Sequence, residues 1–284
     1  MVRSFSVCMI AVLLLTLVVV ATASAASSFS PQAADVDNSN IKLGVYWANF
    51  HTNLRVDSVS GTRIEGTPID LESLLGLKSS EALFIGDLTW RSSRKWNWDL
   101  EYANVPRTHT IAPGTPIDVT FDGVAYDITS DQPATTKFNT PLFSLRWRYS
   151  FYDHPETRIG GAFGLGGFYL NSSIHGTPPN SETATTKSAN DPVPLPELGL
   201  KITQRIADKT FFNVYYNYFF VNYKGYGGNA TDLNAGFDYL FDRHLGLSLD
   251  YLYKLWDVHS DTGSVQGAFN YRLSGPAVTL NWYF

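Results

Sequence analysis

The sequence predicts an all-β protein: a transmembrane, antiparallel, up-and-down β-barrel of about ten strands. Three observations predict it. Seven Trp, 16 Tyr and 18 Phe stand among 284 residues, yet mean hydropathy is slightly negative, so the aromatics are interleaved with polar residues. The interleaving has a period of two, which puts apolar and polar side chains on opposite faces of a strand. Short polar turns and longer Pro/Gly/Ser/Thr-rich links then alternate along the chain, as the two ends of a membrane barrel require.

The N-terminus is set apart from this pattern. Arg3 precedes an apolar run over Val7–Val20, and small residues follow in ATASAAS (21–27). This is the form of a cleaved secretory signal with a cut after Ala25. The predicted organisation is therefore a signal peptide (1–25), a flexible segment (26–40) and a barrel (41–284). Cys8, Met1 and Met9 all lie in the signal, so the exported chain has no thiol and must hold its fold without disulfides. A net charge of -5 with no basic run argues against a nucleic-acid partner.

The alternation is clearest in FIGDLTW, where Phe84, Gly86, Leu88 and Trp90 oppose Asp87, Thr89 and Arg91. In WNWDLEY, Trp98, Leu100 and Tyr102 oppose Asn97, Asp99 and Glu101. LFSLRWRYSF sets Phe143, Leu145, Trp147, Tyr149 and Phe151 against Ser144, Arg146, Arg148 and Ser150. Phe237/Tyr239 and Leu247/Leu249/Tyr251 oppose Asp238 and Ser248/Asp250 in the same way. FFNVYYNYFFVNY (211–223) is aromatic on both faces and leaves its own orientation open.

Short turns fall at 92–97, 153–158, 205–209 and 242–244, and long links at 59–80, about 105–137, 173–193, 224–230 and 257–263. Aromatics flank the short turns: Trp90, Trp96 and Trp98, then Phe151 and Tyr152, Phe211 and Phe212, and Tyr239 and Phe241. They are expected to form an interfacial girdle. The segment VQGAFNYRLSGPAVTLNWYF is read as one strand kinked at Gly275–Pro276, because its apolar parity switches there. Eight or twelve strands are the alternatives to ten. The last strand is expected to pair with the first, Ile41–Asn53, with Leu43, Val45 and Trp47 outward.

Val278, Leu280, Trp282 and the terminal Phe284 share one face. This ending resembles the C-terminal insertion signal of Gram-negative outer-membrane proteins, which ends in Phe after alternating apolar residues. The resemblance implies recognition by the barrel-assembly machinery and residence in the cell outer membrane, in contact with lipid and lipopolysaccharide. GTPIDLESLLGL (66–77), LTWRSSRKWNWDLEY (88–102) and PLPELGLKI (194–202) together resemble a poorly characterised group of proteobacterial outer-membrane barrels, which implies architecture and no activity.

If the aromatic face meets lipid, the other face lines the lumen. Its acids are Asp87, Asp99, Glu101, Glu197, Asp232, Asp238 and Asp250; its bases are Lys42, Arg91, Arg146, Arg148, Arg158, Lys201 and Lys254. The even balance suits a lumen plugged by ion pairs, since isolated buried charges cost several kcal/mol each. A selective pore would show one sign in excess. In 66–77, Thr67 as N-cap, Pro68 in the first turn, Asp70 or Glu72 at the positive end and Gly76 at the stop suggest a loop helix presenting Leu71, Leu74 and Leu75. The glycines of IGGAFGLGGF (159–168) are read as room for neighbouring side chains.

Chemistry is scarce. Asp257-Val258-His259 is similar to the Asp-x-His pair of omptin-type proteases, whose carboxylate orients an imidazole from the same strand face, but no second acidic pair stands opposite it. No His is followed two residues later by Ser, the pair that outer-membrane lipid hydrolases share. No metal-ligand spacing and no phosphate-cradling glycine loop occur. The chain is therefore read as a non-enzyme without cofactors, structural or surface-interacting, its ligand unknown. A narrow passive channel and an omptin-like hydrolase are the alternatives.

Overall fold

A computed structural model describes residues 29–58, 64–112, 118–127, 134–177, 183–223, 225–261 and 266–284. The expected signal peptide lies outside the described residues. Ten long strands follow the predicted order: β1 (Asn40–Asp57), β2 (Ser80–Arg91), β3 (Trp96–Ala103), β4 (Leu142–Asp153), β5 (Thr157–Gly176), β6 (Thr185–Ala207), β7 (Thr210–Tyr223), β8 (Tyr226–Leu240), β9 (Leu245–Ser260) and β10 (Gln266–Tyr283). Each pairs antiparallel with its chain neighbour, and β10 pairs with β1 from Asn40↔Tyr283 to Asp57↔Gln266. That last pairing closes the sheet, so that the terminal strands have no open edge.

The wall has two halves of opposite polarity. Near the short turns, Trp98, Leu145, Leu249, Tyr251 and Trp282 are exposed on the outside, while Asn97, Arg146, Arg148, Asp238 and Asn281 are buried within. Val45, flanked in register by Phe84 and Val278, is covered on the outer face. Near the long links the arrangement reverses. Phe50, Leu54, Trp256, Phe269 and Tyr271 are buried inside, and Asn49, Asp257, His259 and Arg272 are exposed outside. The turn half is built for an apolar surround and the loop half for water. β7 is oriented by the same rule: Asn213, Tyr215 and Asn217 point inward, Tyr216, Tyr218 and Phe220 outward.

Both ends are covered. At the loop end, Pro106–Ile111 pairs with Ala134–Asn139, which in turn pairs with β5. Ile69–Asp70 pairs with β1, and Asp118–Phe121 forms a hairpin with Val124–Asp127. Ile69, Leu71, Leu75, Phe121, Tyr126 and Phe138 join the apolar cluster of the upper lumen. At the turn end, residues 29–39, anticipated as part of a flexible segment, pack Ala33 and Val36 against Phe211, Leu240 and Tyr283.

Several local expectations are corrected. Residues 66–77 form a short strand and a turn rather than a helix: Asp70 Oδ1 accepts from the amides of Glu72 and Ser73, and Ile69–Asp70 finds a sheet partner in β1. Phe211 does not join the girdle; it points inward beneath the N-terminal segment. Much of 173–193 and 224–230 is strand, because β5–β6 and β7–β8 continue as paired hairpins beyond the apolar belt.

β10 is one strand, as expected, but it keeps a single register across Gly275–Pro276. Tyr251↔Pro276 and Leu252↔Gly275 follow on without a bulge. The parity switch in the sequence is a change in what the lumen contains, from Phe269, Tyr271 and Leu273 above to Thr279 and Asn281 below. Pro276 still leaves a mark, because it has no N–H to donate: the ladder to β1 skips from Tyr46↔Ala277 to Asn49↔Ser274. A Cβ at Gly275 would overlap the carbonyl oxygen of Trp47. Gly275→Val is therefore expected to destabilise the β1–β10 closure by at least about 2 kcal/mol, read as loss of the boiling-dependent gel shift of the closed barrel.

Candidate functional site: the lumen

The inward side chains of the turn half form stacked ion-pair layers. Nearest the turns is Asp37, in the short 3-10 turn Asp35–Asp37 ahead of β1. Its carboxylate lies 2.7 Å from Arg148 Nη1, 3.3 Å from Arg158 Nε and 2.6 Å from Lys201 Nζ. Burial alone would raise the Asp37 pKa, but Arg148, Lys201 and Arg158 outweigh it and hold the carboxyl far below the ordinary range. The turn is tied down further. Asn97 Nδ2 donates to Asp37 O at 2.7 Å and the Ala33 amide to Pro155 O at 2.8 Å. Arg91 donates to Ala34 O and Asn38 Oδ1, so this predicted lumen base serves the mouth.

Above it, Arg148 Nε also meets Asp99 at 2.9 Å. Arg146 pairs with Glu101 at 2.6 Å and lies 3.6 Å from both Glu197 and Asp232; its guanidinium sits over the Tyr215 ring at 4.7 Å. Lys254 bridges Glu101 at 2.7 Å and Asp232 at 2.6 Å. Lys42 Nζ lies 3.4 Å from Asp238, which accepts hydrogen bonds from Asn213 Nδ2 at 2.7 Å and from Ser248 Oγ. Asp87 and Asp250 face the same central space, a polar cavity of about 120 Å³, room for a few waters at roughly 30 Å³ each. Glycine makes the crowding feasible: a Cβ at Gly166 would collide with Glu197.

The loop-end cap has its own buried cation. Arg107 pairs with Glu72 and donates through Nη2 to Thr52 Oγ1 at 2.7 Å. Glu72 accepts from the Thr52 amide at 2.7 Å. The guanidinium lies over Phe50 at 4.5 Å and Phe138 at 4.8 Å. A cation between aromatic faces and one carboxylate fixes two loops and the upper wall together. Neither Arg107 nor Asp37 figured among the sequence candidates. The only signal for Asp37 was a polar DVD turn, and for Arg107 a lone base in a long link.

Other sequence candidates fall outside the lumen. Asp257 and His259 are exposed on the outer wall, with Val258 buried between them. Their register neighbours on β8 and β10 are Asn229 and Asn270, Gly227 and Ala268, none of them a carboxylate. Trp282 and Phe284 are exposed at the outer rim; the Phe284 amide donates to Ser39 O at 2.9 Å. Among the described residues, no group of three or more His, Cys, Asp or Glu is placed to hold a metal ion.

The pH dependence of the N-terminal turn follows from Asp37. Because its folded pKa lies below the unfolded one, its stabilisation is fully present above about pH 4 and is lost as the pH falls further. Asp37→Asn should release residues 29–38 at neutral pH and cost roughly 3–5 kcal/mol, since three cations lose a buried partner. Amide exchange of residues 33–38 reads this directly; unchanged protection in the variant contradicts it.

No family model matches the chain, and no curated protein matches it. Solved structures do. The outer membrane protease OmpT from Escherichia coli superposes with a TM-score of 0.53 at 12% identity, over 91% of this chain and 99% of that one. The translocator domain of the autotransporter NalP from Neisseria meningitidis gives 0.40 at 11%, over 87% and 89%. Ail, the attachment invasion locus protein of Yersinia pestis, gives 0.31 at 6%, over 86% and 99%. At these identities the first likeness shows the barrel fold and nothing finer.

Proposed function

We propose that the protein is an integral outer-membrane β-barrel of a Gram-negative cell, structural or surface-interacting, with a closed lumen that does not conduct solutes. The lumen supports this most. Arg146, Arg148, Lys42 and Lys254 are each matched to carboxylates within 3.4 Å. Asp37 seals one mouth, and the Arg107–Glu72 cap covers the other. A path for ions would need these pairs broken in a low-dielectric interior, at several kcal/mol per ion.

The outer belt supports contact with membrane lipid and lipopolysaccharide. Short turns and the N-terminal segment would face the periplasm, and the long links the outside. The stripe Val278, Leu280, Trp282 and Phe284 is the surface that the barrel-assembly machinery would read. The exposure of Asp257 and His259 on the outer wall, with no carboxylate among their register neighbours, argues against an omptin-like reaction, in which a general base must be oriented within hydrogen-bond reach.

In planar bilayers the folded protein is expected to show no stable open level at neutral pH; a persistent level in the wild type contradicts the closed lumen and favours the narrow channel. Phe284→Ala is expected to lower the heat-modifiable, membrane-inserted fraction several-fold in cells, with normal folding in detergent. Equal insertion would remove the C-terminal stripe from the proposal.

A further inference from the structure

The wall is not zipped along its whole height. β6 pairs with β5 from Thr185 to Gln204, but with β7 only from Leu198↔Tyr218 downward. Above Leu198 stand Pro196, Pro194 and Pro192, at alternate positions whose N–H groups would all point to one edge. The ladder to β5 is intact, so the edge without donors is the one toward β7. β7 continues to Tyr223, with β8 as its only ladder partner above Tyr218 among the described residues. An unzipped stretch is costly inside hydrocarbon; this one begins where the apolar belt ends. At its foot are Leu198 and Phe220, 71% and 65% exposed, the most exposed large apolar side chains among the described residues.

Behind the seam lies a cavity of about 250 Å³. Leu54, Leu170, Val193, Val258 and Phe269 supply its apolar wall, and Pro192 and Val193 belong both to the cavity and to the unzipped edge. Tyr226 also lines it, with a buried hydroxyl that makes no hydrogen bond. The prolines keep the β6 edge from recruiting another strand.

We infer that the β6–β7 seam is a lateral entrance through which the acyl chain of a lipid in the surrounding leaflet enters this apolar cavity. The inference rests on the membrane reading above. The apolar belt delivers lipid to the foot of the seam, the ladder to β7 is missing from there upward, and the cavity offers an apolar wall with Arg55, Tyr226, His259 and Ser260 as its polar part.

The test uses the whole protein in nanodiscs whose phospholipid carries a diazirine at the end of one acyl chain, with photo-adducts mapped by mass spectrometry. Adducts are expected on the outer belt at Leu165 and Leu198, and also inside at Leu170 or Phe269. Replacing Pro192, Pro194 and Pro196 together by Thr restores the N–H donors. It is expected to protect from exchange those backbone amides of residues 219–223 that point toward β6, and to cut the inner adducts at least tenfold, leaving Leu165 unchanged. Val193→Trp, which fills the cavity, is expected to do the same to the inner adducts without the change in protection. Inner positions unlabelled in the wild type overturn the inference. So do inner adducts that persist once the amides are protected, or that persist in Val193→Trp. Absence of adducts at Leu165 would instead sink the membrane reading.

Discussion

The constraint on which the structure depends is that one continuous strand must satisfy two surroundings. In the turn half, lipid-compatible rings such as Trp98 and Tyr251 face out and charges face in. In the loop half, Phe269 and Tyr271 face in while Arg272 and Asp257 face out. The strand register does not change at the boundary, since β9 and β10 keep one register through it. Only the side chains exchange roles. Burial of charge below and of apolar surface above are therefore separate cohesive systems in one barrel: paired ions and hydrogen bonds in the first, hydrophobic packing in the second.

The ion-paired lower lumen and the aromatic upper lumen have different tolerances. A charge layer loses much when one partner goes, because the remaining ion is stranded in low dielectric. Arg146 is insulated against this by sharing three carboxylates and the Tyr215 face. Asp37 is the reverse case, one carboxylate serving three cations. Arg107 depends on a single acid but also on the faces of Phe50 and Phe138.

Much of the barrel could be read from the chain because strand period is local. Phe84, Gly86, Leu88 and Trp90 already declare a face, and the turns between faces declare the hairpins. Period identifies the apolar face without saying whether that face is inside, and this is why the switch at Gly275–Pro276 read as a kink. Pro192 fell inside the link read over 173–193, but it belongs to a strand, because a proline is costly only when its N–H edge is paired and here that edge is not. Asp37 stayed hidden because Arg148, Arg158 and Lys201 stand more than a hundred positions away, and no local pattern encodes such a meeting. The expected helix at 66–77 had good punctuation but lost to the sheet partner that β1 offers Ile69 and Asp70.

The small N-terminal turn carries a consequence for the order of assembly. Its anchor points come from β4, β5 and β6 through Arg148, Arg158 and Lys201, and from β7, β8 and β10 through Phe211, Leu240 and Tyr283. Six strands spread around the wall contribute these contacts, so the full set is together only in the closed cylinder, where the Phe284 amide also reaches Ser39 O. The stretch just ahead of the first strand thus completes its contacts only on a finished circle.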